Sequence, residues 1–323
     1  MLLNHRGSAK GQFRFCLNRG GVEHPFFTQP SKNMILDAFL NLVNSNSAYS
    51  FINYISSPLV RSFRLGVGAT PVSPSDTGLV TPVILIPNTS TSLTASAGFL
   101  DTETDEIVCQ QTVRGEIEIT VARNLTEISA YTNTDGSVTA TLPILSRALI
   151  TDAEGEPAAL NVQPGDILVV YYDFETRMPH KVTAVKTVNA VETTIEAVLH
   201  TNSTVHFPWA DACIGSFNNS SGFNTNRTNH TASDFTFPNF LTAFNPGWTQ
   251  TTDSITDRAL QMPVAGTRGK RRRIGLQQAN GTIRGLFVGE SGAMRWIYKF
   301  TPAITKDNQK VIELESYMQL ARA

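Results

Sequence analysis

Between residues 124 and 178 the chain reads NLTEISAYTNTDGSVTATLPILSRALITDAEGEPAALNVQPGDILVVYYDFETRM, and no other stretch restricts the accessible folds so strongly. Short β-favouring runs are interrupted by Asp135-Gly136, by Asp152-Ala153-Glu154-Gly155 and by Pro164-Gly165-Asp166. Asp-Gly pairs tolerate the positive φ values of tight reversals, so they separate strands rather than helices. Strands are predicted at 128–131, at 146–151, along an edge run near 160–162, and at 167–172. Such spacing suits a mainly β chain, an antiparallel β-sandwich or jelly roll.

The rest of the chain extends this pattern. One segment, 31–43, favours helix: Ile35, Phe39, Leu40 and Val43 share a face, and Ser31 or Asn33 can cap its start. Strands are expected at 11–17 before it and at 60–67 after it, the latter running into the loop GVGATPVSPSDTGL. Then come 82–86 and a long ribbon, 107–122, whose stretch GEIEITV alternates cleanly enough to wet one face and bury the other. Residues 183–200 read as a further strand pair. In the closing part, 272–277 and 282–288 flank Asn280-Gly281 as a hairpin, followed by strands at 295–301 and 311–319. This organisation is a β-sandwich with one short N-terminal helix over 1–200, an Asn/Thr/Phe-rich loop excursion over 201–247, and closing β-hairpins of the same sandwich over 248–323. The excursion is dense in aromatic side chains that are costly to leave in water, so it is expected to pack on the sandwich or on a neighbouring subunit.

Composition points the same way. Apolar residues make up 41% and charged residues only 16%, against about 25% charged in a typical soluble domain. Thr, Ser and Asn replace the missing charge, and polar uncharged surface is cheap to desolvate in repeated subunit contacts. A formal net charge of −1 offers no global attraction to nucleic acid or anionic membrane. Cys16, Cys109 and Cys213 are odd in number and widely spaced, which suits buried thiols better than disulfides or a zinc module. No run approaches the ~18 apolar residues of a membrane span, and the first residues lack the apolar core of a signal peptide, so a soluble protein made in the cytosol is expected.

Candidate chemistry is sparse. Gly66-Val67-Gly68 superficially suggests a phosphate cradle, but Pro71 and Pro74 follow where a helix should start. Gly289-Glu290-Ser291-Gly292 is one residue short of a nucleophile elbow. The six histidines form no metal-ligand spacing. Residues 101–106, DTETDE, concentrate carboxylates that could meet a cation, although the glycine and spacing of an EF-hand are missing. No catalytic residue, metal or cofactor is assigned. The strongest electrostatic feature is the run Arg268, Lys270, Arg271, Arg272 and Arg273, which favours an anionic partner: an acidic patch on a neighbouring subunit first, a solvated strand edge second, nucleic acid last.

Three stretches together resemble a family of tailed-bacteriophage virion proteins. Asn33-Met34-Ile35-Leu36-Asp37-Ala38-Phe39 resembles the N-x-I-L-D helix start of such proteins. Residues 64–79, RLGVGATPVSPSDTGL, are similar to that family's glycine- and proline-containing segment ending in D-T-x-L. Residues 300–306 followed by 311–323 resemble its closing strand pair. The resemblance implies a non-enzymatic β-sandwich subunit of the tail, baseplate, collar or fibre-attachment apparatus, located in the virion and bound to copies of itself and to other virion proteins. The alternatives are a receptor- or glycan-binding tail fibre protein, in which Phe217, Phe223, Phe235, Phe237 and Trp248 line a surface, a capsid decoration protein, and a polysaccharide-degrading enzyme.

Overall fold

The computed structural model describes residues 2–27, 29–44, 60–132, 144–201, 229–230, 237, 249–250, 256–259, 268–274, 281–288 and 294–323. The fold is mainly β and its sheets are antiparallel almost throughout. The largest sheet runs in the order Thr256–Ala259, Arg268–Ile274, Ile312–Arg322, Leu2–Arg19, Ile167–Pro179, Glu106–Glu118 and Thr91–Asp101, with Val22–Pro25 and Ser31–Lys32 pairing further along the first strand. A second sheet takes the order Met34–Ile35, Ile144–Leu149, Glu127–Tyr131, Ser62–Gly66 and Pro82–Ile86. A third joins Lys181–Val188, Val191–Thr201, Met294–Lys306 and Gly281–Val288, and Leu160–Val162 pairs with Arg123–Leu125 alone.

Alternation explains how the sheets stack. Along Ile167–Pro179, Leu168, Val170, Tyr172 and Phe174 are buried, while Asp173, Glu175 and Arg177 turn to the other face. Phe13 and Phe15 on the first strand face the same way, and the Phe13 ring lies 4.7 Å from Tyr172 and 6.3 Å from Phe63 of the second sheet. Those contacts carry the core from one sheet to the next. Ile195, Tyr298 and Phe300 of the third sheet belong to the same cluster. This layered, sandwich-like arrangement matches the sequence expectation, and its strand orders do not confirm the jelly roll. Cys16 and Cys109 are buried thiols, as expected, and Cys213 lies outside the described residues.

Several expectations need correction. The helix spans only Asp37–Val43, because Ser31–Lys32 and Met34–Ile35 are taken into strand ladders against Gln12–Phe13 and Ser146–Arg147. Ser31 is buried, and its Oγ accepts the Thr151 N–H at 3.0 Å, which fixes it far from any capping role. Asp37 then stands in the first turn, where a carboxylate suits the positive end of the helix. Arg268–Ile274 and Gly281–Val288 are not hairpin partners, since the former pairs with Ile312–Arg322 and the latter with Met294–Lys306. Met294–Lys306 and Ile312–Arg322 belong to different sheets, so they are consecutive but not a pair. Ile312–Arg322 instead pairs with Leu2–Arg19 in parallel, the one such ladder among the described residues. Thr91–Asp101 is a strand the sequence reading missed. Asp135-Gly136 lies outside the described residues.

Candidate functional site

The loop GVGATPVSPSDTGL covers a buried pair of opposite charges, Glu127 and Arg147. Phe63, Leu65, Ile128, Ala130 and Ala148 of the second sheet point into the core. Glu127, Ser129 and Arg147 alternate with them and therefore occupy the opposite face. Arg147 stands opposite Ser129, so it is the diagonal neighbour of Glu127. The loop folds across this face and seals the pair: Arg147 is 1% exposed and Glu127 0%.

Every polar group of the pair is then used on the loop or on its partner. Arg147 donates to Glu127 Oε2 from Nε at 3.1 Å and from Nη2 at 2.8 Å. Its Nη1 donates to Asp76 Oδ2 at 2.6 Å and its Nη2 to the Thr70 carbonyl at 3.0 Å. Glu127 Oε1 accepts the N–H groups of Gly68 at 3.1 Å and Thr81 at 2.9 Å, and Oε2 accepts that of Val80 at 3.2 Å. The Val67 N–H donates to the Thr81 carbonyl at 3.0 Å and closes the base of the loop. Burial works against the Arg147 cation, but the hydrogen bonds from it to Asp76 and Glu127 outweigh this and hold its pKa above the ordinary arginine value.

Two glycines permit this approach. A Cβ on Gly66 would lie 2.6 Å from the Thr81 carbonyl oxygen, and one on Gly68 would strike the Glu127 carboxylate. The Gly-x-Gly spacing is thus a strand-to-loop connection wrapped around a carboxylate. The Gly68 N–H, which a phosphate cradle would need, is already given to Glu127. While the backbone is held, the side chains of Val67, Ala69, Thr70, Pro71, Ser75, Thr77 and Val80 are exposed. What results is an outward-facing loop whose backbone is held by buried hydrogen bonds.

A second polar surface lies on the outer face of the largest sheet. Asp173 accepts from Arg14 at 2.9 Å and from Thr112 at 2.7 Å, and Glu175 meets Lys10 at 3.0 Å, Arg177 at 2.8 Å and Gln110 at 2.9 Å. Farther along, Glu23 accepts from Arg114 at 2.9 Å and from the Tyr171 hydroxyl at 2.7 Å. A groove of about 630 Å³ opens over Lys10, Gln12, Lys32, Gln110, Asp173 and Glu175. Burial raises the pKa of Asp173 and Glu175, yet the hydrogen bonds they accept more than offset it and leave both below the usual carboxylate range.

Three carboxylates of 101–106 are paired with side chains of the chain itself. Asp101 and Glu106 meet Arg177 at 3.0 and 3.4 Å, and Asp105 meets His180 at 2.9 Å. Among the described residues no group of three or more ligating side chains could hold a metal ion. The basic run forms a strand inside the largest sheet. Its register sets Arg271 opposite Glu315, Arg273 opposite Glu313, and Arg272 opposite Asp257 on the other side. Carboxylate-bearing positions of the chain itself therefore flank Arg271, Arg272 and Arg273, while Arg268 stands opposite Met318 and Lys270 opposite Ser316. Phe237 has its ring 5.9 Å from the Lys181 ammonium. Phe217, Phe223, Phe235 and Trp248 lie outside the described residues.

Glu127 and Arg147 were missed in the sequence although a signal was present. Each is the lone charge in a short apolar strand, EISAY and ILSRAL, and a charge there must be paired when the strand is buried on both faces. No family model, curated protein or solved structure matches this chain.

Proposed function

We propose that this chain is a non-enzymatic structural subunit of a tailed-phage virion, built into the tail, baseplate, collar or fibre-attachment apparatus, where it binds copies of itself and other virion proteins. The observation that carries this reading is the convergence of the three family-like stretches on Asp37. Its N–H donates to the Pro74 carbonyl at 2.9 Å, and Arg322 donates to the Ile35 carbonyl and to Asp37 Oδ1, each at 2.6 Å. Asn44 adds reciprocal bonds to the Leu320 backbone, both at 2.8 Å. Residues 33–39, 64–79 and 311–323 of the resemblance thus meet in one place, which supports the outward-facing loop, while 300–306 lie in the third sheet.

A buried ion pair is weak support for stability but can specify one conformation. Here the conformation specified is that of the exposed loop, which fits a subunit whose work is to present a fixed contact surface. The test is to purify particles from cells expressing the chain with its genetic neighbours and to quantify it by mass spectrometry. Recovery at the level of a multi-copy component supports the proposal. A chain that stays wholly in the soluble fraction while complete particles form removes it.

A further inference from the structure

The two ends of the largest sheet are treated in opposite ways. Among the described residues one end is Thr256–Ala259, which carries Asp257 and Arg258. Charge is one of the usual means by which an open edge is kept from pairing with another chain. The other end, Thr91–Asp101, is eleven residues long and reads TSLTASAGFLD. It holds no charge before Asp101 and no proline. Among the described residues its only ladder partner is Glu106–Glu118, so half of its backbone groups face outward from the sheet. A bulge at Thr94 interrupts the register and leaves the stretch 95–101 regular. Within it Phe99 remains 40% exposed.

We propose that this edge pairs with the same edge of a second copy of the chain, antiparallel and about a two-fold axis within 95–100, so that the two largest sheets become one. A two-fold axis perpendicular to a sheet brings a strand against itself in the antiparallel sense. Every residue then faces its own symmetry-related stretch, and like charges directly opposite are destabilising. A run with no charge is self-complementary in this respect, whereas the Thr256–Ala259 edge would set Asp257 and Arg258 at the contact. Head-to-tail joining of the two ends is disfavoured for the same reason, since it would bury those charges against a neutral strand. Pairing also covers Phe99. This deepens the assembly reading by naming the surface through which copies meet, and it rests on that reading only for its purpose, because self-pairing is a property of the isolated chain.

The experiment is a cysteine scan with Ser96→Cys, Ala97→Cys, Gly98→Cys and Phe99→Cys made singly, oxidised in solution, with the wild-type chain as the blank. Cα atoms across an antiparallel pair are about 4.5–5.5 Å apart, within disulfide reach. One variant, or two adjacent ones, should form covalent dimer well above the blank. Light scattering on the wild-type chain should give twice the mass of the chain or a multiple of that, and Phe99→Lys should halve it with the circular dichroism spectrum unchanged. No cross-link above the blank in any variant, or a mass unaffected by Phe99→Lys, overturns the proposal. Either result leaves incorporation into particles to be judged separately.

Discussion

Arg147 gives two of its N–H groups to a single oxygen of Glu127, at 3.1 and 2.8 Å, and both residues are sealed from solvent. Breaking a buried ion pair by removing one member costs about 3–5 kcal/mol. Glu127→Ala and Arg147→Met should each lose stability on that scale in urea unfolding. The double variant should lose less than the sum, by a coupling of about 0.5–3 kcal/mol. Strictly additive losses would show that the two side chains act independently.

Gly68 and Gly78 offer a matched pair in one loop. A Cβ at Gly68 would strike the Glu127 carboxylate and lie 2.8 Å from the Val80 side chain, whereas one at Gly78 meets nothing within 4 Å. Gly68→Ala should cost about 1–3 kcal/mol as an overpacked site, and Gly78→Ala should be close to neutral. Equal effects would contradict the wrapped geometry. Hydrogen exchange gives a second check, because the Gly68, Val80 and Thr81 amides should be protected in the wild-type chain and lose that protection in Glu127→Ala.

The outer face predicts how stability depends on acid. Asp173 and Glu175 have folded pKa values held below the usual range, chiefly by Arg14 and Arg177 against the opposing effect of burial. The unfolded chain therefore binds more protons than the native one as pH falls past about 4, the ordinary carboxylate value. This stabilisation is complete above that pH and is lost as pH drops through the depressed folded values. Urea midpoints measured from about pH 5 downward should fall, and Asp173→Asn should flatten the fall. A variant with the same slope as the wild-type chain would separate Asp173 from the acid response.

The register of the basic strand is open to a charge exchange. Arg273 stands opposite Glu313 on one side and the uncharged Thr256 on the other, and cross-strand ion pairs contribute about 0.2–1 kcal/mol. Arg273→Glu should lower the melting temperature, and adding Glu313→Arg should restore part of it. Failure of the second change to rescue the first would indicate a different register.

The strands were legible where the chemistry is local. Alternation in Ile167–Pro179 and the turn at Gly165, whose φ is +88°, follow from neighbouring residues, and Leu160–Val162 is a strand as expected. Thr91–Asp101 was not legible because TSLTASAG lacks both alternation and large β-formers, and it is held by its ladder with Glu106–Glu118. The start of the helix was misplaced for a related reason. Ile35 and Ser31 have helical spacing from Phe39, but Ile35 is taken into a ladder with Ser146, more than a hundred residues away, and Ser31 into one with Phe13. The loop was singled out correctly from its glycines and prolines. What fixes it, Glu127 and Arg147, lies 46 and 71 residues along the chain from the loop groups they hold, at Thr81 and Asp76 respectively, and no local pattern joins them.

In the proposed function the loop fixed by Arg147 and Glu127 is a contact surface within an assembled particle. Hydroxyl-radical footprinting of the free chain and of purified particles measures this directly, residue by residue. Val67, Pro71 and Val80, exposed in the free chain, should become strongly protected in the particle. Exposed Val185 on the third sheet serves as a comparison. Equal labelling of the loop in the two states would contradict the account.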